Sequence, residues 1–249
     1  MPPRQPARTI PTELIQSRSS RRLRGTLAQH LAVQILKGDI AEGHVFPVEV
    51  EFAAQMGISR SSLREAFRIL TAKGLVEARP RAGTRVCPRN QWNLLDPDLL
   101  AWQFEARPSR KFLEDLFELR MMIEPGAAAL AATRRTSAQL KAMQTQLDAM
   151  QRHTLATEEG RAADQQFHLV MLEAAENQAI LSLSSTIMSA VAWTTIFKQR
   201  KRKLPRDPIP DHLAVLVAIR EGDPDKAHHA MSELVRLALV DTEFSLGDD

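Results

Sequence analysis

Apolar residues along the first third of the chain follow one period and then switch to another. From Leu23 the spacing is helical: Leu27, Leu31, Val33, Ile35 and Leu36 lie largely on one face, until Gly38-Asp39 stops the run. A second short helix is predicted from about Val48 to Met56, with Phe52 and Ala53 turned inward and Gly57 ending it. A third runs from Ser61 or Ser62 to Lys73 with Leu63, Ala66, Phe67 and Leu70 as its buried stripe. Ser62-x-x-Glu65 reads as a capping box at its start, and Gly74 supplies the positive-φ stop that a helix end favours. The period then drops to two: Leu75–Ala78 and Thr84–Cys87 are strand-like and flank a basic tip, Arg79–Gly83. Helix, helix, turn, helix and β-hairpin, in that order, make a winged helix-turn-helix.

Beyond Pro88–Asp96 the pattern is helical throughout, with expected helices at 97–105, 109–133, 137–152, 158–176, 178–203, 209–221 and 224–245. Pro108, Gly160, Asn177, Pro205, Pro208, Pro210 and Gly222-Asp223-Pro224 punctuate them. The fold class is therefore mainly α. The chain divides into a flexible arm at 1–20, a winged helix-turn-helix of three helices plus a hairpin at 21–88, a linker and docking helix at 89–107, and an all-α bundle at 108–245. No apolar run reaches the ~18 residues that cross a bilayer, so a membrane partner is not expected.

Charge sharpens this division. Residues 1–90 hold 15 Lys and Arg against 7 Asp and Glu, a balance of +8; the rest of the chain holds 18 against 23, a balance of −5. A basic module fused to an acidic one fits a nucleic-acid reader joined to something else. The single cysteine, Cys87, forms no internal disulfide, which fits a reducing cytoplasm, and it excludes a multi-cysteine metal centre. No P-loop, dinucleotide fingerprint or His-Glu-x-x-His helix is present.

Reading a duplex requires a helix start that enters the major groove, short hydroxyls for phosphates and arginines for guanine edges. Ser59, Arg60, Ser61, Ser62 and Arg64 supply these at the first turn of the third helix. Arg81 and Arg85 on the wing add backbone or minor-groove contacts.

In the bundle, Asp164 and His168 are four apart on one helix, Arg120 and Glu124 four apart on another, and His212 opens a third. Ionisable groups on apolar helices are costly unless paired or ligated. The spacing alone does not separate a satisfied pair from a ligand pair. Trp193 and Phe197 are either pocket walls or core aromatics. The run Lys198-Gln199-Arg200-Lys201-Arg202-Lys203 reads as a solvated helix end, where cations are favoured.

Residues 24–87 resemble the DNA-binding domain of the GntR family. Phe46-Pro47-Val48-Glu49-Val50-Glu51-Phe52-Ala53 is similar to its Leu-Pro-Ser-Glu-Arg-Glu-Leu-Ala signature, and Gly57–Ala66 resembles its Gly-Val-Ser-Arg-Thr-Pro-Val-Arg-Glu-Ala segment. Leu75-Val76 and Gly83-Thr84-Arg85-Val86 match its wing. The resemblance implies DNA contacts from Ser59, Arg60, Ser61, Ser62, Arg64 and Gly83; a contacting arginine of the family's second helix is Val50 here. The bundle is similar to the FCD effector domain of the FadR subgroup. Leu119-Arg120-Met121-Met122-Ile123-Glu124-Pro125, Asp164-x-x-Phe167-His168 with Asn177, and His212 with Ala218-Ile219 and Gly222-Asp223 carry that likeness.

By resemblance, an aspartate and three histidines hold a divalent metal that grips an effector carboxylate, helped by an arginine. The implied effector-binding set is Arg120, Glu124, Asp164, His168, Asn177, Trp193 and His212. The last expected histidine, 22 residues beyond His212, is Leu234, and helical phase sets His228 and His229 on other faces. Asp164, His168 and His212 can still hold zinc or another divalent ion, with waters completing the shell. Alternatively, no metal binds and they hydrogen-bond the effector directly.

The junction Pro88–Trp102 resembles the branch that governs D-galactonate use, which implies a sugar acid or related 2-keto acid as effector. The expected protein is a cytoplasmic homodimeric regulator, in the repressor mode, released from its double-stranded DNA operator by a small carboxylate. The rivals are a regulator answering to another carboxylate, a metal-dependent enzyme using Asp164, His168 and His212, and an architectural DNA binder indifferent to sequence.

Overall fold

The computed structural model describes residues 20–79, 83–199 and 206–246. The expected N-terminal arm up to residue 19, Arg81 at the wing tip and Arg200–Lys203 of the basic run lie outside the described residues. The chain forms two compact units that part between Ala106 and Arg107.

The first unit contains α1 (Ser20–Lys37), α2 (Glu49–Gln55) and α3 (Arg60–Ala72), then β1 (Val76–Arg79) and β2 (Gly83–Val86), a 3-10 turn at Arg89–Gln91, and α4 (Pro97–Glu105). The strands pair antiparallel, with Val76 opposite Val86 and Glu77 opposite Arg85. The segment before α2 joins this hairpin as a short third rung, for Phe46 N donates to Thr84 O at 2.8 Å and Val86 N donates to His44 O at 2.9 Å. That pairing turns Phe46 inward, where its ring meets Phe52 and Phe67 at centroid distances of 5.5 and 5.1 Å. The stripe expected for α3 is the observed one: Leu63, Ala66, Phe67 and Leu70 are buried.

The start of α3 differs from expectation. Its N-cap is Ser59, whose Oγ accepts from Ser62 N at 3.1 Å. Ser62 and Glu65 do not form a capping box, because Ser62 already lies inside the first turn and Glu65 instead holds Arg68 at 2.8 Å. A serine N-cap is worth about 1 kcal/mol.

The stretch expected as linker packs within the first unit. Trp92 is buried and donates from Nε1 to Cys87 O at 2.9 Å, and Asn93 N donates to Lys73 O at 3.0 Å. Lys73, itself 6% exposed, reaches Asp96 at 2.6 Å and Asp98 at 2.8 Å, with its ammonium 5.2 Å from the Trp102 ring centroid. Burial pushes the Lys73 amine down, but hydrogen bonds from both aspartates outweigh that and hold it above its ordinary value. Asp96 caps α4, accepting from Asp98 N and Leu99 N, with Pro97 at the first helical position. The C-terminus of α3 is thereby tied to α4, which packs on α1.

The second unit is helical throughout its described residues: α5 (Arg110–Arg134), α6 (Ser137–His153), α7 (Glu158–Ala174), α8 (Gln178–Leu181), α9 (Ser184–Gln199), α10 (Ile209–Glu221) and α11 (Pro224–Leu246). Packing is most extensive between α5 and α11 and between α6 and α7. The core is assembled mainly from alanines and larger apolar side chains, among them Ala127, Ala128, Ala131, Met143, Phe167, Met171, Ile187, Leu216, Ile219 and Val235. The one helix expected over 178–203 is broken near Ser182-Leu183: the Ser182 hydroxyl bonds Ala179 O at 2.7 Å, ending α8.

Gly74 tests the tie between α3 and the segment after the wing. Its φ of +72° suits glycine, and an added Cβ would stand 2.2 Å from Gln91 O. Gly74→Ala should therefore lower stability by more than the roughly 1–2 kcal/mol of a left-handed alanine alone, read as the urea midpoint of the full chain. A change within about 0.5 kcal/mol, ordinary for a surface site, would show the close approach to be slack.

Candidate functional site

Two constellations stand out, one in each unit. In the first, Ser59, Arg60, Ser61 and Arg64 are exposed at the start of α3, and Ser62 is half-buried. The hydroxyls of Ser61 and Ser62 lie 2.9 and 2.8 Å from Ser59 Oγ, a cluster held ready at the positive end of the helix. Arg60, Arg64 and Arg68 recur every four residues and are all exposed, so they form one basic stripe. Arg68 was missed by motif reasoning, although its spacing was visible. Arg64 is braced by Glu49 of α2 at 2.5 Å yet remains 62% exposed. Val50, where the family carries an arginine, is 56% exposed on α2. On the wing, Arg85 pairs with Glu77 across the hairpin at 2.5 Å, and Gly83 is exposed at φ +81°.

The second constellation is a cavity of about 450 Å³ of empty space, part of it open to solvent, wholly within the helical unit. Arg120 of α5, Asp164 and His168 of α7, and His212 of α10 all line it. A stripe of α9 (Val191, Thr194, Thr195, Lys198) and one of α11 (Leu234, Ala238, Asp241) close other sides, with Arg206 and Pro208 beside them.

The polar groups form a connected path. Arg120 Nε donates to Glu124 Oε1 at 2.6 Å, and Glu124 Oε2 lies 2.6 Å from His168 Nδ1, close but not aligned as a directed hydrogen bond. His168 Nε2 faces Asp164 Oδ1 at 3.7 Å. The same oxygen is 3.0 Å from His212 Nε2, while His212 Nδ1 meets Pro208 O at 2.8 Å. Glu124 sits behind the wall, fully buried, and holds both Arg120 and His168 in place.

Burial pushes Glu124 up, but the charges of Arg120 and His168 overcome it and leave the carboxyl at about 2. Asp164 is likewise pushed up by burial and then held below the usual carboxylate range by His212, with His168 and Lys198 adding. Burial lowers the Lys198 amine to about 8, against the opposing pull of Asp164.

Three expectations need correction. Asn177 caps α8, its Oδ1 accepting from Ala179 N and Ile180 N at 3.0 and 3.2 Å, and it does not line the cavity. Trp193 and Phe197 are half-buried and point elsewhere, because the cavity side of α9 is the stripe through Thr194 and Lys198. Lys198 is not a solvated helix end: it is 7% exposed and lines the cavity. Arg206 and Asp241 were also missed. No spacing motif marks them, since both come to the cavity only through tertiary packing.

As a metal set, one oxygen of Asp164 and one nitrogen each of His168 and His212 lie within 4.8 Å of one another. Both imidazoles are oriented from behind, by Glu124 and by Pro208 O, as metal-binding histidines are when a carboxylate or carbonyl meets the ring nitrogen turned away from the ion. Leu234 lines the same cavity and offers no donor, while His228 and His229 are exposed. The donors present fit a divalent ion with three protein ligands.

A winged helix-turn-helix joined in one chain to a helical unit with a polar cavity defines a class, the transcription regulators that read DNA with one unit and sense a ligand with the other. Residues 23–86 match the bacterial regulatory proteins of the gntR family and residues 115–237 match the FCD domain. The HTH-type transcriptional regulator YieP of Escherichia coli K12 is 33% identical over 231 residues, 91% of this chain and 98% of that protein. The galactonate operon transcriptional repressor of the same organism is 32% identical over 82% of this chain and 90% of its own length. A solved structure of Lar from Listeria monocytogenes superposes with a TM-score of 0.63 at 17% identity, covering 92% of this chain and 99% of that one, a likeness of fold alone. The chain belongs to the gntR family of bacterial regulatory proteins and carries an FCD domain. Its relatives are transcription regulators and not enzymes. Among the described residues no helix is long and apolar enough to cross a membrane.

The Arg120–Glu124–His168 path yields a pH test. The folded value of Glu124 lies below its ordinary 4.5, so its contribution to stability is present above about 4.5 and lost as pH falls toward about 2. Glu124→Gln should cost about 3–5 kcal/mol near neutrality, because it leaves Arg120 buried without its charge partner. Urea melts should show the gap from wild type narrowing through that acid window. A gap that stays constant with pH would mean that the pairing of Glu124 is not what the substitution removes.

Proposed function

We propose that this protein is a homodimeric repressor of a sugar-acid catabolic operon, released from DNA when a small carboxylate enters the cavity of the FCD domain. The observation that carries this reading is the cavity lined by Arg120, Lys198 and the Asp164, His168, His212 cluster. It occurs in a chain 32% identical to the galactonate operon repressor of E. coli. Residues 21–88 read the operator, with Ser59, Arg60, Ser61, Ser62 and Arg64 at the groove and Arg81, Gly83 and Arg85 on the wing. Residues 108–245 bind the effector, and two chains address two half-sites. An effector that binds ~100-fold tighter to the DNA-misfit state supplies about 2.7 kcal/mol of coupling, enough to clear an operator.

The test is a titration of the full chain against its own upstream DNA and against random DNA. D-galactonate or D-gluconate should weaken operator binding about tenfold or more while leaving random DNA little changed. Arg60→Ala should cost about 1–3 kcal/mol on operator alone if its side chain reads a base. Equal losses on both DNAs would make Arg60 a phosphate contact. If no acid alters operator affinity, the sugar-acid reading falls.

Asp164, His168 and His212 further hold a divalent ion such as zinc. Bound there, such an ion would supply positive charge to a neutral ligand oxygen such as a hydroxyl. The protein's own part is to fix the two imidazoles from behind and keep Asp164 ionised. Cobalt(II) titrated into metal-stripped protein should give the visible absorption of a nitrogen- and oxygen-ligated ion, and Asp164→Asn should abolish it. An unchanged spectrum in wild type would leave these groups to bind the effector by hydrogen bonds alone.

A further inference from the structure

The cations of the cavity wall are not equivalent. Arg120 is committed to Glu124 at 2.6 Å. Arg206 is committed to Asp211, with Asp241 at 3.5 Å. Lys198 alone among the described cavity-lining cations has no carboxylate within ion-pair distance and no side-chain hydrogen bond to a described residue. It is nonetheless 7% exposed and lines the cavity. A largely buried side chain that carries a cation without a carboxylate partner is costly, and such groups are retained where something else completes them.

The backbone beneath it is fixed. Lys198 O accepts from the hydroxyl of Ser245 on α11 at 3.4 Å. The next residue, Gln199, bonds Leu155 O and accepts from Arg161 at 3.2 Å. The end of α9 is thus pinned from two sides, and the lysine is presented on a rigid support. Its electrostatic neighbours are Asp164 and Asp241 in attraction and Arg120 and Arg206 in repulsion.

We propose that Lys198 is the residue that grips the effector carboxylate, and that the cavity selects a hydroxylated monocarboxylate over a dicarboxylate. This rests on the sugar-acid reading above and narrows it. With the acid group held at Lys198, the anionic lining outside the Asp164, His168, His212 set is Asp241. Its oxygens accept hydrogen bonds from ligand hydroxyls and repel a second carboxylate. An aldonate meets both demands, whereas the aldarate of the same chain length places a charge against an aspartate.

The experiment is calorimetric titration of the full-length wild type, Lys198→Met and Lys198→Arg with D-galactonate, D-gluconate, L-lactate, glycolate and galactarate. Losing a charge-assisted hydrogen bond predicts about 10- to 100-fold weaker aldonate binding in Lys198→Met. Lys198→Arg should recover part of that loss. The melting temperature of Lys198→Met should not fall below wild type, because the substitution breaks no ion pair and no side-chain hydrogen bond to a described residue; a merely structural lysine would lower it and leave ligand affinity in the surviving fold unchanged. Galactarate should bind at least tenfold more weakly than galactonate. Lys198→Met binding within twofold of wild type, or galactarate equal to galactonate, overturns the inference while leaving the regulator reading in place. If only L-lactate or glycolate binds, the sugar-acid reading fails, and the lysine is judged on that acid by the same variants. If no acid binds wild type, both are overturned.

Discussion

The second unit depends on one buried ion pair. Arg120 and Glu124 sit one helical turn apart on α5, at 2% and 0% exposure, where isolated charges would be intolerable. Pairing at 2.6 Å makes their burial possible, and it does more than neutralise them. The second carboxylate oxygen reaches His168, which stands over Asp164, which in turn meets His212. Three helices are thus keyed to one another by polar contacts in a core otherwise made of alanines and larger apolar side chains. Whatever ligand enters the cavity meets groups already oriented, and little conformational entropy remains to be lost on binding.

The first unit obeys a different constraint. Its recognition helix must expose charged residues on one face while anchoring the other. The buried stripe of Leu63, Ala66, Phe67 and Leu70 supplies the anchor, and Arg60, Arg64 and Arg68 occupy the opposite side. Glu49 and Glu65 restrain two of these arginines without burying them, limiting the side-chain freedom that DNA contact would otherwise cost.

Much of this was legible in the residues. Helical period exposed the buried stripes of α2 and α3, and the switch to period two located the hairpin. The i, i+4 pairs at 120/124 and 164/168 were visible because a helix turn brings them together whatever the tertiary fold. What sequence could not show depended on packing between distant segments. Lys198 opens a run of basic residues that reads as solvated, and only the docking of α9 against α7 and α11 turns it inward. Asn177 fits a family motif, yet a short polar side chain at a helix start is consumed by backbone N–H groups. Ser59 and Ser62 are both chemically suited to cap α3. Local propensity does not choose between them; the turn at Gly57, which sets where the helix begins, does.

The clasp around Lys73 has a mechanical meaning. Its ammonium joins the last turn of the recognition helix to the cap of α4, and α4 is the final element before the chain passes into the FCD domain. Within the first unit α3 and α4 therefore shift as one body: a displacement of α4 carries the arginine-bearing start of α3 with it, as a lever carries its far end.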